Sequence, residues 1–171
     1  MAVKLVPLIA FCVLGLGVVL HIIGLSTPHW ITQTVDLDEE TVDVSAGLWQ
    51  VCVGGLCNSI HENAKHDWYR ACGAMAIIGM LSGMISALMV GVVFVMGLMN
   101  KDSGKTKKAT SILSFLAAVF SVIMILICVI IFAVKTNQEG GYDFGYSFFL
   151  STAGAVVIVI GGNLALVGMF V

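Results

Sequence analysis

Four long runs of apolar residues, almost free of charge, constrain this chain more than any other feature of its sequence. They cover about residues 5–25, 71–99, 110–134 and 148–171. Each is about as long as the roughly 20 residues that a helix needs to cross the hydrocarbon of a bilayer. A strand or loop at that depth would leave backbone groups without hydrogen bonds, so each run is expected to be a helix. The sequence therefore predicts a single membrane domain with four spans, covering residues 1–171.

The charged residues lie between these runs, and their signs predict an orientation. The loop 100–109 is basic, and its charged residues are Lys101, Asp102, Lys105, Lys107 and Lys108. The loop 26–70 instead carries seven acidic and two basic residues. Because basic loops stay in the cytoplasm, 100–109 and both termini are expected inside, with loops 26–70 and 135–147 outside a plasma membrane. A cleaved signal peptide is the alternative for the first run, which is longer than the usual apolar core of such a peptide.

Composition and motifs argue against several classes of function. The net charge is −2, and this balance does not favour nucleic-acid binding. The segment His61–His66 places its two histidines five residues apart, whereas a zinc-binding helix needs them four apart on one face. Phosphate-loop and dinucleotide motifs are absent from the sequence. We therefore predict a non-enzymatic protein with no metal, no cofactor and no small-molecule substrate, whose surroundings are the lipid bilayer.

The first outer loop has the pattern of a small antiparallel β-sheet. Alternating or β-branched stretches occur at Trp30–Val35, Thr41–Val44, Leu48–Val53 and Leu56–Ile60. The stretch 61–65 after them is polar and predicts a turn or a short helix.

A two-residue hairpin at Gly54-Gly55 brings two cysteines opposite each other. With these glycines as the turn, Val53 faces Leu56 and Cys52 faces Cys57. The second pair is a non-hydrogen-bonded one, with Cα atoms about 4.5 Å apart, which suits a disulfide. An oxidising exterior would preserve the bond, and its use would be to fix the strand register. Two free thiols, or competition from Cys72, are the alternatives.

These residues resemble a known family signature. Trp30 followed by Gly47-Leu48-Trp49-x-x-Cys52-x-x-x-x-Cys57 is similar to the W…GLWxxC…C pattern of the claudin superfamily. The short gap between the cysteines looks most like the branch of peripheral myelin protein, the epithelial membrane proteins and the lens-fibre membrane intrinsic protein. The segment Tyr142–Phe148 also resembles that branch's entry to its fourth span.

The resemblance implies an all-α membrane bundle, left-handed and up-down, with a small extracellular antiparallel sheet. Four strands would come from the first outer loop and one from the second. The resemblance also implies that Trp30, Leu48 and Trp49 seat the sheet on the helix tips. Tryptophan favours the boundary between lipid and water, which agrees with that role.

Small and polar residues inside the spans add further expectations. Gly79, Gly83, Ala87 and Gly91 recur every four residues and form a face that lets another helix approach closely. That face predicts packing within the bundle or, alternatively, a dimer contact. His21 lies near the outer boundary and is expected to snorkel towards it, and Asn163 is expected to bond a neighbouring helix.

Three functions are consistent with these features. The first is a structural and adhesive protein of cell–cell junctions that forms homo-oligomers in one membrane and contacts a trans partner on the next cell. The second is a paracellular channel that favours cations, as in claudins, through an acidic cluster. The members of that cluster are Asp36, Asp38, Glu39, Glu40 and Asp43. The third is an auxiliary subunit of a membrane channel or receptor.

Overall fold

The computed structural model describes residues 2–37, 40–60, 66–99, 104–140 and 142–168, which form four helices and five strands. The helices are α1 (Ala2–Ser26), α2 (Asp67–Leu98), α3 (Gly104–Glu139) and α4 (Tyr146–Val167). The strands are β1 (Ile31–Leu37), β2 (Glu40–Ala46), β3 (Gln50–Val53), β4 (Leu56–Ser59) and β5 (Asp143–Phe144). Each helix is long and apolar enough to cross a membrane. The predicted four-span bundle with a small antiparallel sheet is confirmed.

Three of the helices are longer than the apolar runs predicted, and α1 has 25 residues against about 21 in its run. α2 begins at Asp67 rather than at residue 71, and α3 starts six residues before its predicted run and ends five residues after it. The 36 residues of α3 span roughly 54 Å, which exceeds the roughly 30 Å of a bilayer core. Charged and polar residues end an apolar run without ending a helix, so the helix continues into the aqueous layers.

The four helices form a ring in which each helix packs against its two neighbours. α1 lies between α2 and α4, and α3 completes the ring from the other side. The most extensive contacts join α1 to α4 and α2 to α3. Leu14, Ile125 and Ile158 are completely buried at the centre. The handedness of the bundle stays a prediction.

The contact between α1 and α4 is made through glycines. A Cβ atom on Gly17 would lie 2.8 Å from the backbone nitrogen of Ile158, and one on Gly24 would lie 2.7 Å from the carbonyl oxygen of Ser147. Gly154 of α4 faces α1 equally closely, 2.8 Å from the carbonyl oxygen of Gly17. Only residues without a side chain allow two backbones to approach this closely in lipid.

The contact between α2 and α3 is made through serine hydroxyls. The side chains of Ser86 and Ser114 each donate to the other's backbone carbonyl, at 2.8 and 3.0 Å. Two further bonds cross the same interface: Ser82 Oγ donates to Ala117 O at 2.8 Å, and Ser121 Oγ donates to Gly79 O at 2.6 Å. Interhelical hydrogen bonds of this kind stabilise helix pairs where water is absent.

His21 connects the two helix pairs, and the expectation that it snorkels is wrong. The side chain is completely buried, with Nε2 3.1 Å from the carbonyl oxygen of Ala76 in α2. Because a carbonyl only accepts, Nε2 carries the proton and Nδ1 accepts from the hydroxyl of Ser151 in α4, 2.8 Å away. A neutral imidazole with both nitrogens bonded can lie inside the bundle.

Asn163 also differs from its prediction. It is exposed on the outer surface of α4, and its Nδ2 donates to the carbonyl oxygen of Val159 one turn back in the same helix, at 2.8 Å. The amide is satisfied locally and does not bond a neighbouring helix.

The sheet lies beyond the ends of the helices, with the strand order β4-β3-β2-β1-β5. All its neighbouring strands are antiparallel. The first outer loop forms strands β1–β4, and the second outer loop forms the short β5 before α4, as the resemblance implied. The segment 61–65 lies outside the described residues.

Candidate functional site

The hairpin of β3 and β4 has the predicted geometry. Gly54 and Gly55 have φ angles of 56° and 84°, the left-handed values that a tight hairpin turn requires. Cys52 is paired with Cys57 in the strand register, and the two form a disulfide with their Cα atoms 4.0 Å apart. Cys72 is a free, buried cysteine and does not compete for this bond.

Trp30 fixes the start of β1 to the helix ends. It is completely buried, and its indole Nε1 donates to the carbonyl oxygen of Gly24 at 2.8 Å. Its ring meets Phe132 of α3 edge-on at 5.0 Å and Phe148 of α4 at 5.9 Å. A buried indole with its N–H bonded combines a large apolar contact with a fixed orientation. The sheet is therefore held by three of the four helices at this residue.

The Gly-Leu-Trp segment before β3 forms the second attachment. A Cβ atom on Gly47 would lie 2.6 Å from the Cα atom of Pro28, so only glycine fits there. Leu48 is buried in the same apolar cluster as Trp30. The Trp49 ring packs over Gly73 of α2, 3.0 Å from where a Cβ atom would lie.

Sequence reasoning missed several residues of this attachment. The hydroxyl of Tyr69 donates to the carbonyl oxygen of Gly47, which links α2 to the loop. Gly73, Phe132 and Phe148 complete the surface under the sheet. Their apolar runs mark them only as membrane residues; the pairing with the loop depends on contacts between residues far apart in sequence.

One face of the sheet is polar. Register places four cross-strand partners on it as a row, namely Thr32, Ser45, Cys52 and Cys57. This face contains a depression of about 650 Å³. Thr34 Oγ1 donates to Asp43 Oδ1 at 3.0 Å beside it, and Asp143 of β5 also lines it.

The predicted acidic cluster lies partly on this polar face. Asp36 and Asp43 share it, because Asp36 pairs with Thr41 and Asp43 with Thr34. Asp38 and Glu39 lie outside the described residues, and the side chain of Glu40 lies outside them as well. Asp143 was missed, because its pairing beside Thr32 joins two loops that are distant in sequence.

The opposite face of the sheet is mostly apolar, and Gln33 and Asn58 are polar residues on it. It carries Val35 opposite Val42, and Val44 beside Val53 and Leu56. Near the membrane this face continues through Ile31 and Phe144 into the cluster that holds Trp30. Further out it is open: Val53 is 49% exposed and Leu56 is 77% exposed.

The face of small residues on α2 lies within the chain's own bundle. Gly79 packs against Ile125 of α3, and Gly83 lies close to Val18 of α1 and Ile158 of α4. Ala87 is half-buried against the central core. Gly91, one turn further on, contacts the ring of Phe11 in α1.

Four membrane helices with an antiparallel sheet held at one end by tryptophans define a class of tetraspan membrane proteins. The chain belongs to the PMP-22/EMP/MP20/Claudin family, whose family model matches residues 2–165. The resemblance of the tryptophan and cysteine signature to this family is thus confirmed. A comparison with curated proteins gave no match at the significance threshold. The family is a structural, non-enzymatic one, and membership makes this a multi-pass tetraspan protein of the junction type.

Proposed function

We propose that the chain is a structural and adhesive protein of cell–cell contacts in the plasma membrane. It associates side by side with other copies in one membrane and presents its sheet to the neighbouring cell. The observation that carries this proposal is the buried attachment of Trp30 to three helices. Because the sheet is held at its base, its outer part is a preformed surface, and a preformed surface binds with a smaller loss of conformational entropy.

The proposal requires the sheet to be outside the cell. Two observations support that orientation: the Cys52–Cys57 disulfide, which persists in oxidising surroundings, and the exposed Lys105 and Lys108 at the far end of α3. With four spans, both termini and the loop 100–109 are then cytoplasmic. The whole chain, residues 1–171, would be one membrane domain.

The tip of the β3–β4 hairpin is the best candidate for the contact surface. Val53 and Leu56 are neighbours on the apolar face and are among its most exposed side chains. Exposed apolar groups that project from a fixed element are typical of protein–protein contacts. We expect Leu56 to bury its side chain against the partner on the opposing cell.

The test is a cell-mixing experiment. Non-adhesive cells that express the tagged chain are mixed with cells that do not, and the protein should be enriched where two expressing cells meet. Leu56→Asp should abolish the enrichment while surface delivery is unchanged. Asn58→Asp is the matched control, because Asn58 is exposed on the same strand and the same face and gains the same charge. Even distribution of the parent protein over the cell surface would contradict adhesion.

A specific observation also favours the second candidate, a paracellular channel that favours cations. Asp43 and Asp143 line one depression together with hydroxyl groups, and Asp36 lies on the same face. Carboxylates along a water-filled path attract cations and repel anions. Asp43→Asn with Asp143→Asn should then reduce the cation preference of an expressing epithelial sheet. An unchanged cation preference would contradict the channel function. Co-purification with a large partner would instead favour an auxiliary subunit.

A further inference from the structure

A groove of about 470 Å³ lies between α1 and α2, in the half of the bundle away from the sheet. Leu8 and Phe11 form the α1 side, and Leu88, Val92, Val95 and Met99 form a stripe along α2. No polar atom lines it. Its position within two apolar spans restricts the occupant to what the bilayer contains.

Gly91 makes the groove possible. Its missing side chain lets the Phe11 ring lie against the backbone of α2, 3.1 Å from where a Cβ atom would be. Leu88 and Val92 on either side of this contact are 65% and 54% exposed. The result is an indentation with exposed apolar rims.

The lining distinguishes between the possible occupants. A second transmembrane helix packs closely against small residues, and the small residues of α2 are already covered within the chain: Gly79 by Ile125, Gly83 by Val18 and Gly91 by Phe11. The rims are instead Leu and Val, which suit a flexible hydrocarbon chain. With no polar atom, the groove offers nothing to a sterol hydroxyl.

The charge at the end of the bundle near the groove indicates which lipid headgroup would bind there. α3 begins there, and Lys105, Lys107 and Lys108 lie in its first two turns, with Lys105 and Lys108 exposed. Basic residues beside a span attract anionic lipids. We propose that the groove holds one acyl chain of an anionic glycerophospholipid, with its headgroup near these lysines. The proposal rests on the membrane spans and is independent of the adhesive function.

The test uses the full chain in nanodiscs, where both leaflets carry the probe and the result does not depend on orientation. Photoreactive phosphatidylserine, with a diazirine on one acyl chain, is compared with the equivalent phosphatidylcholine, and the labelled peptides are mapped by mass spectrometry. We expect the serine lipid to label 88–99 and 8–11 preferentially. Val92→Phe, which fills the groove, should remove this labelling. Val167→Phe, at similar depth on the exposed side of α4, should not.

The lysines are tested separately by replacing Lys105, Lys107 and Lys108 with Gln. The preference for the serine lipid should fall by roughly fivefold for each lysine that contacts the headgroup. Labelling spread evenly over the four helices, or unchanged by Val92→Phe, overturns the site. Equal labelling by the two lipids in the parent chain overturns the anionic headgroup, and a disulfide formed between two copies that carry Val92→Cys identifies a protein occupant instead.

Discussion

The two broad helix contacts of the bundle are built from different chemistry. α1 and α4 touch backbone to backbone through Gly17, Gly24 and Gly154, while α2 and α3 are joined mainly by serine hydroxyls. A backbone contact has no space for an added atom, whereas a hydrogen bond between helices can be lost singly. The glycine contact should therefore be the less tolerant of substitution. It is also the contact that supports the sheet, through the Gly24 carbonyl that accepts from Trp30.

The largest effect is expected where the sheet meets the glycine contact. Trp30→Ala should reduce the free energy of unfolding by about 3–5 kcal/mol, because it empties a fully buried ring site and removes the bond to Gly24. The mutant should be retained before the cell surface, as measured by surface biotinylation. Trp30→Phe is the control, since it keeps an apolar ring and should lose less. Normal delivery and stability of Trp30→Ala would show that the sheet is not held at this residue.

The glycine contact itself is tested by a pair of substitutions on α1. Gly17→Ala should cost about 3 kcal/mol, because its Cβ atom would meet the backbone of Ile158. Gly15→Ala is the matched control: nothing lies within 4 Å of its Cβ position, and alanine favours a helix. Unfolding in mixed detergent micelles measures both. Equal stability of the two variants would contradict the close contact.

His21, which joins the two pairs, should have an intermediate effect. His21→Ala removes two interhelical hydrogen bonds, at an expected cost of about 1–2 kcal/mol in the same unfolding assay. Ser151→Ala removes only one of them and should cost about half as much. If Ser151→Ala cost as much as His21→Ala, the bond to Ala76 would contribute nothing.

The smallest effect is expected at the serine contact. Ser86→Ala should cost about 0.6 kcal/mol, and Ser114→Ala a similar amount, because each loses one bond of a reciprocal pair. In a double-mutant cycle the two should be non-additive, since their hydroxyls are 3.0 Å apart. If Ser86→Ala reduced the free energy of unfolding as much as Gly17→Ala, the serine contact would not be the more tolerant of the two.

The elements of the sheet were predictable from sequence because their signals are local. The Gly54-Gly55 turn fixes the register that brings Cys52 opposite Cys57. The turn and both cysteines lie within one segment of six residues. Apolar length similarly predicted four helices, although not where α3 begins and ends.

The polar residues of the spans could not be placed in the same way. His21 and Asn163 are both polar residues in apolar runs, yet one is buried between helices and the other bonds its own helix on the surface. The difference depends on which residues surround them, and the partner of His21 in α4 is 130 residues away. For the same reason the sequence did not predict that Asp143 lies on the polar face of the sheet or that Tyr69 bonds to Gly47.

We expect the disulfide-bearing sheet and the lysine end of α3 to lie on opposite sides of one membrane. Asp36→Cys and Lys105→Cys test this arrangement, each in a chain whose free cysteines Cys12, Cys72 and Cys128 are replaced by Ala. A membrane-impermeant maleimide is applied to intact and then to permeabilised cells. Both parent residues are exposed. Position 36 should be labelled in intact cells, and position 105 only after permeabilisation. Labelling of both positions in intact cells, or of both only after permeabilisation, would contradict this arrangement.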